Sequence, residues 1–143
     1  MSRNLPAADP VVIETSALLD LMLGNPEGAA VAEVLRGRAV HLADHSGWLV
    51  ARALGILAEG RAISAADLAR RYQLLADAPF LNHPATTLLP AALGRLGFRL
   101  GDALSVELSQ RLGAPLITTD SRLAAIWPRC WLVAVPRSGL LTD

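Results

Sequence analysis

The chain has 143 residues, 13 acidic and 13 basic, and every basic residue is an arginine. A chain of this size is one domain, able to bury roughly two-thirds of its unfolded surface around a single core; with 52% apolar and 4% aromatic residues, that core is aliphatic. A net charge of zero argues neither for nor against nucleic acid, and a local arginine patch can still grip phosphate through bidentate forks.

Residues 1–9 contain Arg3 and Pro6 and no apolar run, unlike a signal peptide, and no segment approaches the ~20 apolar residues of a membrane span. They read as a tail, as do residues 137–143, around a core of about 10–136. The first strand is predicted over Pro10 to Glu14, an apolar β-branched run closing in an acid, as expected of a strand buried on both faces. Thr15 or Ser16 is placed to cap a helix over Ala17 to Leu23. Gly24 breaks it, and Asn25 with Pro26 makes a fresh N-cap with proline at the first helical position. The next helix spans Glu27 to about Leu35, and a strand follows over Ala39 to Ala43.

Apolar residues at Val50, Ala53, Leu54 and Leu57 predict a helix over Ser46 to Ala58, ended by Gly60. Ser64 and Asp67 have capping-box spacing and open a helix to roughly Ala76, with Leu68, Tyr72 and Leu75 inward and Arg70 and Arg71 outward. Phe80 to His83 reads as a short strand. Thr86 to Leu96 is helical in pattern, with Pro90 acceptable only near a first turn. In Asp102 to Leu112, Leu104, Leu108 and Leu112 form one stripe, Gly113 sits at C′ and Pro115 prevents continuation. A strand over Leu116 to Thr119, a short helix over Ser121 to Ile126 and a last strand over Trp131 to Val135 complete the order. Strands alternating with helices give an α/β domain with a parallel central sheet flanked by helices.

Two strands end in acids, Glu14 and Asp120, and a third acid, Asp102, opens a helix. In open α/β sheets ligands bind outside the carboxyl ends of the strands. Carboxylates gathered there repel; at an effective dielectric near 20 and ~5 Å apart, each pair costs about 3 kcal/mol. A proton on one of them, separation, or a hard divalent ion such as Mg²⁺ or Mn²⁺ resolves the conflict. Taken singly, Asp102 is more often a helix cap than a ligand, and Asp120 likewise fits a plain N-cap for the short helix after it. Glu14, closing a buried strand, needs a partner or an ion.

The stretches "VVIETSALLDLMLGNPEGAAVAEVL" and "LGDALSVELSQRLGAPLITTDSRLA" resemble the PIN-domain family, and within it the VapC-type ribonuclease toxins of bacterial toxin–antitoxin pairs. Order and spacing agree from roughly Val11 to Val135. The resemblance implies an endoribonuclease with a four-acid Mg²⁺ or Mn²⁺ site that hydrolyses RNA phosphodiesters. It also implies a small antitoxin partner and a homodimer, while the lone Cys130 and the lack of a signal-like or membrane-spanning run point to a cytoplasmic setting. Carried over by motif, the first acid falls on Glu14, where the family has Asp, the third on Asp102 and the fourth on Asp120. The second falls on Leu49, in "SGWLVARAL". Catalysis and metal binding are therefore assigned to Glu14, Asp102 and Asp120, with Thr15, Ser16, Arg52 and Thr119 orienting water or phosphate.

Arg52 shares a helix face with Leu49, and is expected either to point at Asp102 or Glu14 and supply the positive charge of a metal, or to be solvated. Asp44 and His45 are candidate substitute ligands. His41, His45 and His83 lack metal-ligand spacing and read as surface or strand-edge residues. Trp48, Trp127 and Trp131 read as core or interface anchors, and Cys130 as a buried hydrophobe in a reducing compartment. Leu68, Tyr72 and Leu75 belong either to the core or to a partner groove. With Leu49 in place of an acid, the competing function is a catalytically inactive PIN-like protein acting as a protein-binding module.

Overall fold

The computed structural model describes residues 9–135; the expected tails lie outside these, apart from Asp9. The elements in order are β1 (Pro10–Ile13), α1 (Thr15–Leu23), α2 (Pro26–Leu35), β2 (Ala39–Ala43), α3 (His45–Glu59), α4 (Ala65–Asp77), β3 (Leu81–His83), α5 (Ala85–Ala92), α6 (Leu100–Leu112), β4 (Leu116–Thr118), α7 (Ser121–Ile126) and β5 (Cys130–Leu132). The five strands form one sheet in the order β3-β2-β1-β4-β5, parallel throughout. The two outermost strands, β3 and β5, are each three residues long.

Side chains alternate across a strand, and β1, in the middle, shows what that does. Val11 and Ile13 enter one core with Leu18, Val31, Val50 and Leu54 from α1, α2 and α3. Val12 enters the other with Leu88, Val106, Leu108 and Leu123 from α5, α6 and α7. Val11, Val12 and Ile13 are all fully buried, which is why the strand is a continuous apolar run.

Local chemistry sets several boundaries. Asn25 caps α2, accepting from the Gly28 N–H at 2.7 Å, with Pro26 at the first position. Gly28 lets α2 lie directly on α1: a Cβ there would stand 2.0 Å from the Asp20 carbonyl oxygen. Ser64 caps α4 through the Asp67 N–H, and Gly113 closes α6 in the left-handed region.

Other boundaries differ from expectation. The cap of α1 is Glu14, not Thr15 or Ser16, so β1 stops at Ile13. α5 runs Ala85–Ala92 and keeps Pro90 in its second turn; the bond that proline forgoes is to Thr86, which is exposed, so water can replace it. α6 begins two residues before Asp102. β5 spans Cys130–Leu132 rather than Trp131 to Val135. Arg71 does not point outward, because its guanidinium donates to the Met22 carbonyl and to Asp67. α4 contributes no fully buried residue; Leu68 and Leu75 pack at the margin of the first core, and the Tyr72 hydroxyl donates to the Ala51 carbonyl at 3.0 Å.

Candidate active site

Parallel pairing of β1 with β4, with Ile13 opposite Ile117, brings the carboxyl ends of both strands to one rim. The residue after β1 is Glu14, only 3% exposed. Its carboxylate is held by short-range donors: the Ser16 N–H gives to Oε2 at 2.9 Å, Thr118 Oγ1 to Oε1 at 2.5 Å, and the Ser16 hydroxyl also gives to Oε1. Burial pushes the Glu14 pKa up; these bonds oppose the rise and the nearby Asp102 charge adds to it.

Beyond β4 the chain turns into α7 at Asp120. Its Oδ1 accepts from the N–H groups of Arg122 at 2.9 Å and Leu123 at 3.4 Å, a true N-cap. Asp102 is different. It lies in the first turn of α6, whose N-cap is Arg99 with no side-chain capping bond. The bonded partner of the Asp102 carboxylate is a cation: Arg122 Nη2 lies 3.0 Å from Asp102 Oδ2 and 3.0 Å from Asp120 Oδ2.

Glu14, Asp102 and Asp120 line one open cleft of about 330 Å³, together with Thr15, Ser16, Leu19, Leu49, Arg99, Gly101 and Arg122. Thr15 Oγ1 is 2.8 Å from Ser46 Oγ, which ties α1 to α3 beside the cleft. Thr119 is turned away from it: its hydroxyl donates to Asp20 Oδ2 at 2.7 Å and its N–H to Ser16 Oγ at 3.2 Å. It therefore braces the rim instead of facing it. Asp20 extends this brace by accepting from Asn25 Nδ2 at 2.9 Å.

The expectation that Arg52 reaches the acids is corrected. Arg52 is exposed on α3 and does not line the cleft, while Leu49, one turn earlier, does. Arg122 supplies the charge. Asp44 is also not a substitute ligand, since its Oδ1 accepts from the Ala85 N–H at 2.8 Å and so starts α5. His45 is not a surface residue. Its Nε2 sits 2.9 Å from the Gly101 carbonyl, which only accepts, so Nε2 carries the hydrogen, and the buried Nδ1 has no partner among the described residues. Burial lowers its pKa, against the Gly101 bond and the charges of Asp44 and Asp102. His41 and His83 meet across β2 and β3, Nδ1 to Nε2 at 2.8 Å.

Cys130 is half-buried, and burial, with the charges of Glu14, Asp102 and Asp120, pushes its thiol up to about 12; it is no nucleophile at neutral pH. Trp127 packs in the second core with Arg95 over its ring, Arg38 stacks on Trp131, and Trp48 is 81% exposed.

Among the described residues no group of three or more His, Cys, Asp or Glu side chains is drawn together to hold a metal ion. The donor chemistry nevertheless suits a hard cation. Two carboxylates converge on one positive charge, and the guanidinium is the stand-in ion. Arg122 and Arg99 were not read from the sequence as site residues. For Arg122 a signal existed: an arginine two positions after an N-cap aspartate can fold back on it.

A PIN domain profile matches residues 11–126. Ribonuclease VapC3 of Mycobacterium tuberculosis is 35% identical over 130 residues, which cover 88% of this chain and 95% of that protein. Ribonuclease VapC12 of the same organism is 32% identical over 120 residues, 80% of this chain and 89% of that protein. Among solved structures, PAE2754 from Pyrobaculum aerophilum superposes with a TM-score of 0.62 at 19% identity, covering 97% of this chain and 96% of its own. A toxin–antitoxin complex from Klebsiella pneumoniae superposes with a TM-score of 0.60 at 17% identity, covering 88% of this chain and 99% of its own. At such identities the superpositions speak for the fold alone.

Proposed function

This chain belongs to the PIN-domain family, and from that premise we propose that it is an endoribonuclease of the VapC type, the toxin of a type II toxin–antitoxin pair. The observation that carries the proposal is the convergence of Glu14, Asp102 and Asp120 on one cleft at the carboxyl rim of β1 and β4. The relatives named ribonucleases match along nearly all of their length, which supports RNA as substrate.

Asp102 and Asp120, with Glu14 behind them, are the residues that would hold Mg²⁺ or Mn²⁺. Such an ion activates a water and neutralises charge on the phosphoryl group. The chain's own residues do the rest. Ser16 and Thr118 fix the Glu14 carboxylate by donating to it. Arg99 and Arg122, at the cleft wall, offer guanidinium forks to phosphate oxygens. Leu19 and Leu49 form the apolar side of the cleft and limit water there.

We further propose a cytoplasmic setting, in keeping with a single cysteine, a small antitoxin as protein partner and a homodimer as the working form. No helix among the described residues is long and apolar enough to cross a membrane.

The test is cleavage of a structured RNA with Mn²⁺. The wild type should cut, and Asp102→Asn should lose about a hundredfold or more, the scale of losing charge stabilisation at a phosphoryl centre. Undiminished cutting by Asp102→Asn would mean the assignment is wrong. Leu49 favours a second reading, a protein-binding module without catalysis, because it puts an apolar side chain in the cleft. Calorimetry showing no Mg²⁺ binding below millimolar, with no cleavage gained in Leu49→Glu, would support that reading. Cleavage appearing only in Leu49→Glu would show that one ligand is all that is missing.

A further inference from the structure

We infer that Arg122 is a competitor built into the fold: its guanidinium occupies Asp102 and Asp120 in place of a divalent ion and leaves them when an RNA phosphodiester arrives to take it. The inference rests on the ion-dependent nuclease reading and adds to it a coupling between ion and RNA.

One nitrogen, Arg122 Nη2, serves both aspartates at 3.0 Å. Asp102 has no other bonded partner among the described residues, and its side chain is 13% exposed against 44% for that of Arg122. The Asp102 carboxylate thus lies deeper in the wall, and the cation reaches in from solvent. The Arg122 backbone is anchored through the other oxygen of Asp120, its N–H donating to Oδ1 at 2.9 Å. Withdrawal therefore needs only rotation of a long side chain, with α7 left in place.

A guanidinium and a divalent ion cannot share the same two oxygens, because like charges a few ångströms apart repel strongly in a partly dehydrated cleft. An ion that enters must displace Arg122, and the displaced guanidinium then lacks an anion. A phosphodiester supplies one, with paired oxygens that fit the fork. Arg99 on the same cleft wall can engage the same backbone. Two ligands that each favour the withdrawn side chain must favour one another, and the coupling is reciprocal.

The test is Mn²⁺ titration of the full chain by calorimetry, with and without a 2′-O-methyl oligoribonucleotide that resists cleavage. In the wild type the oligonucleotide should tighten Mn²⁺ binding. Arg122→Gln should bind Mn²⁺ about tenfold more tightly without RNA, the effect of removing two partly exposed ion pairs, and the oligonucleotide should tighten it less than in the wild type, since only the direct attraction between ion and phosphate remains. Arg122→Lys, a shorter cation with a point charge, should fall between the two. Mn²⁺ affinity in Arg122→Gln equal to or below the wild type overturns the inference, as does undiminished coupling to RNA or no Mn²⁺ binding in either protein. Failure here is separable from failure of the nuclease reading. A wild type that cuts RNA while Arg122→Gln gains no affinity leaves the nuclease and removes the competitor; a gain in Mn²⁺ affinity in a protein that never cuts does the reverse.

Discussion

Helix α6 carries two ionic clusters of opposite make-up. In its first turn, Asp102 shares the single cation Arg122 with Asp120. Further along, the single acid Glu107 lies between two cations, with Oε1 accepting from Arg95 Nε at 3.0 Å and Oε2 from Arg111 Nε at 2.9 Å. The second cluster is closed. Arg95 also reaches Gln110 and covers the Trp127 ring, and Arg111 donates to the Thr87 carbonyl at 3.2 Å, so α5, α6 and the α7 end are clamped together. The first cluster is left with one negative charge in excess, a third acid behind it and an open cleft in front. A structural ion cluster spends its charges on neighbouring elements; a binding cluster keeps charge unspent for something that comes from outside.

The contrast can be broken by substitution. Glu107→Gln should destabilise by about 1–2 kcal/mol in urea unfolding, since it unpairs two arginines, one of them mostly buried, at a charge-assisted site. It should leave Mn²⁺ affinity unchanged; a change there would mean that the two clusters are not separate. Burial raises the Glu107 pKa, but the bonds from Arg111 and Arg95 outweigh it and hold the carboxyl below the usual range. Its contribution is therefore present above the unfolded-state pKa and lost as pH falls through the folded one.

Glu14 has the opposite sign. Its folded pKa is raised, so its contribution is present below the unfolded-state pKa and declines as pH rises through the folded value. Thermal melts in metal-free buffer should show Glu14→Gln gaining on the wild type between acid and neutral pH. Parallel melting curves for the two proteins would contradict this. The smallest effect belongs to Arg52→Ala, an exposed position apart from both clusters. It should shift stability by no more than about 0.5 kcal/mol and leave Mn²⁺ binding as in the wild type, where a loss of affinity would put Arg52 back in the site.

Much of the scaffold was legible because single residues carry decisive local chemistry. The strand over Ala39 to Ala43 and the helix over Ser121 to Ile126 agree residue for residue, and Asn25-Pro26 and Gly113 end or start helices where their backbone preferences require. Pro90 misled because the one bond it forgoes belongs to the carbonyl of Thr86, an exposed residue, where water can take its place. The three acids were visible as strand and helix ends, and the structure lines one cleft with all of them. What periodicity could not supply was direction. Arg52 and Leu49 do share a face of α3, yet only Leu49 borders the cleft, since a helix face is wider than the contact it makes. Arg122 lies in a six-residue helix too short for a periodic pattern, and its role depends on Asp102, twenty positions away in sequence and brought near only by tertiary packing. Thr119 was misread for a related reason: Asp20, on another element, captures its hydroxyl.

The shortness of β3 and β5 has a consequence for how this molecule meets others. Among the described residues, an arriving extended peptide finds three residues of strand on either flank with which to zip, a brief template for strand addition or for chain-upon-chain aggregation. A protein partner is therefore met through side chains on the helical surfaces more than through backbone pairing at the sheet edges.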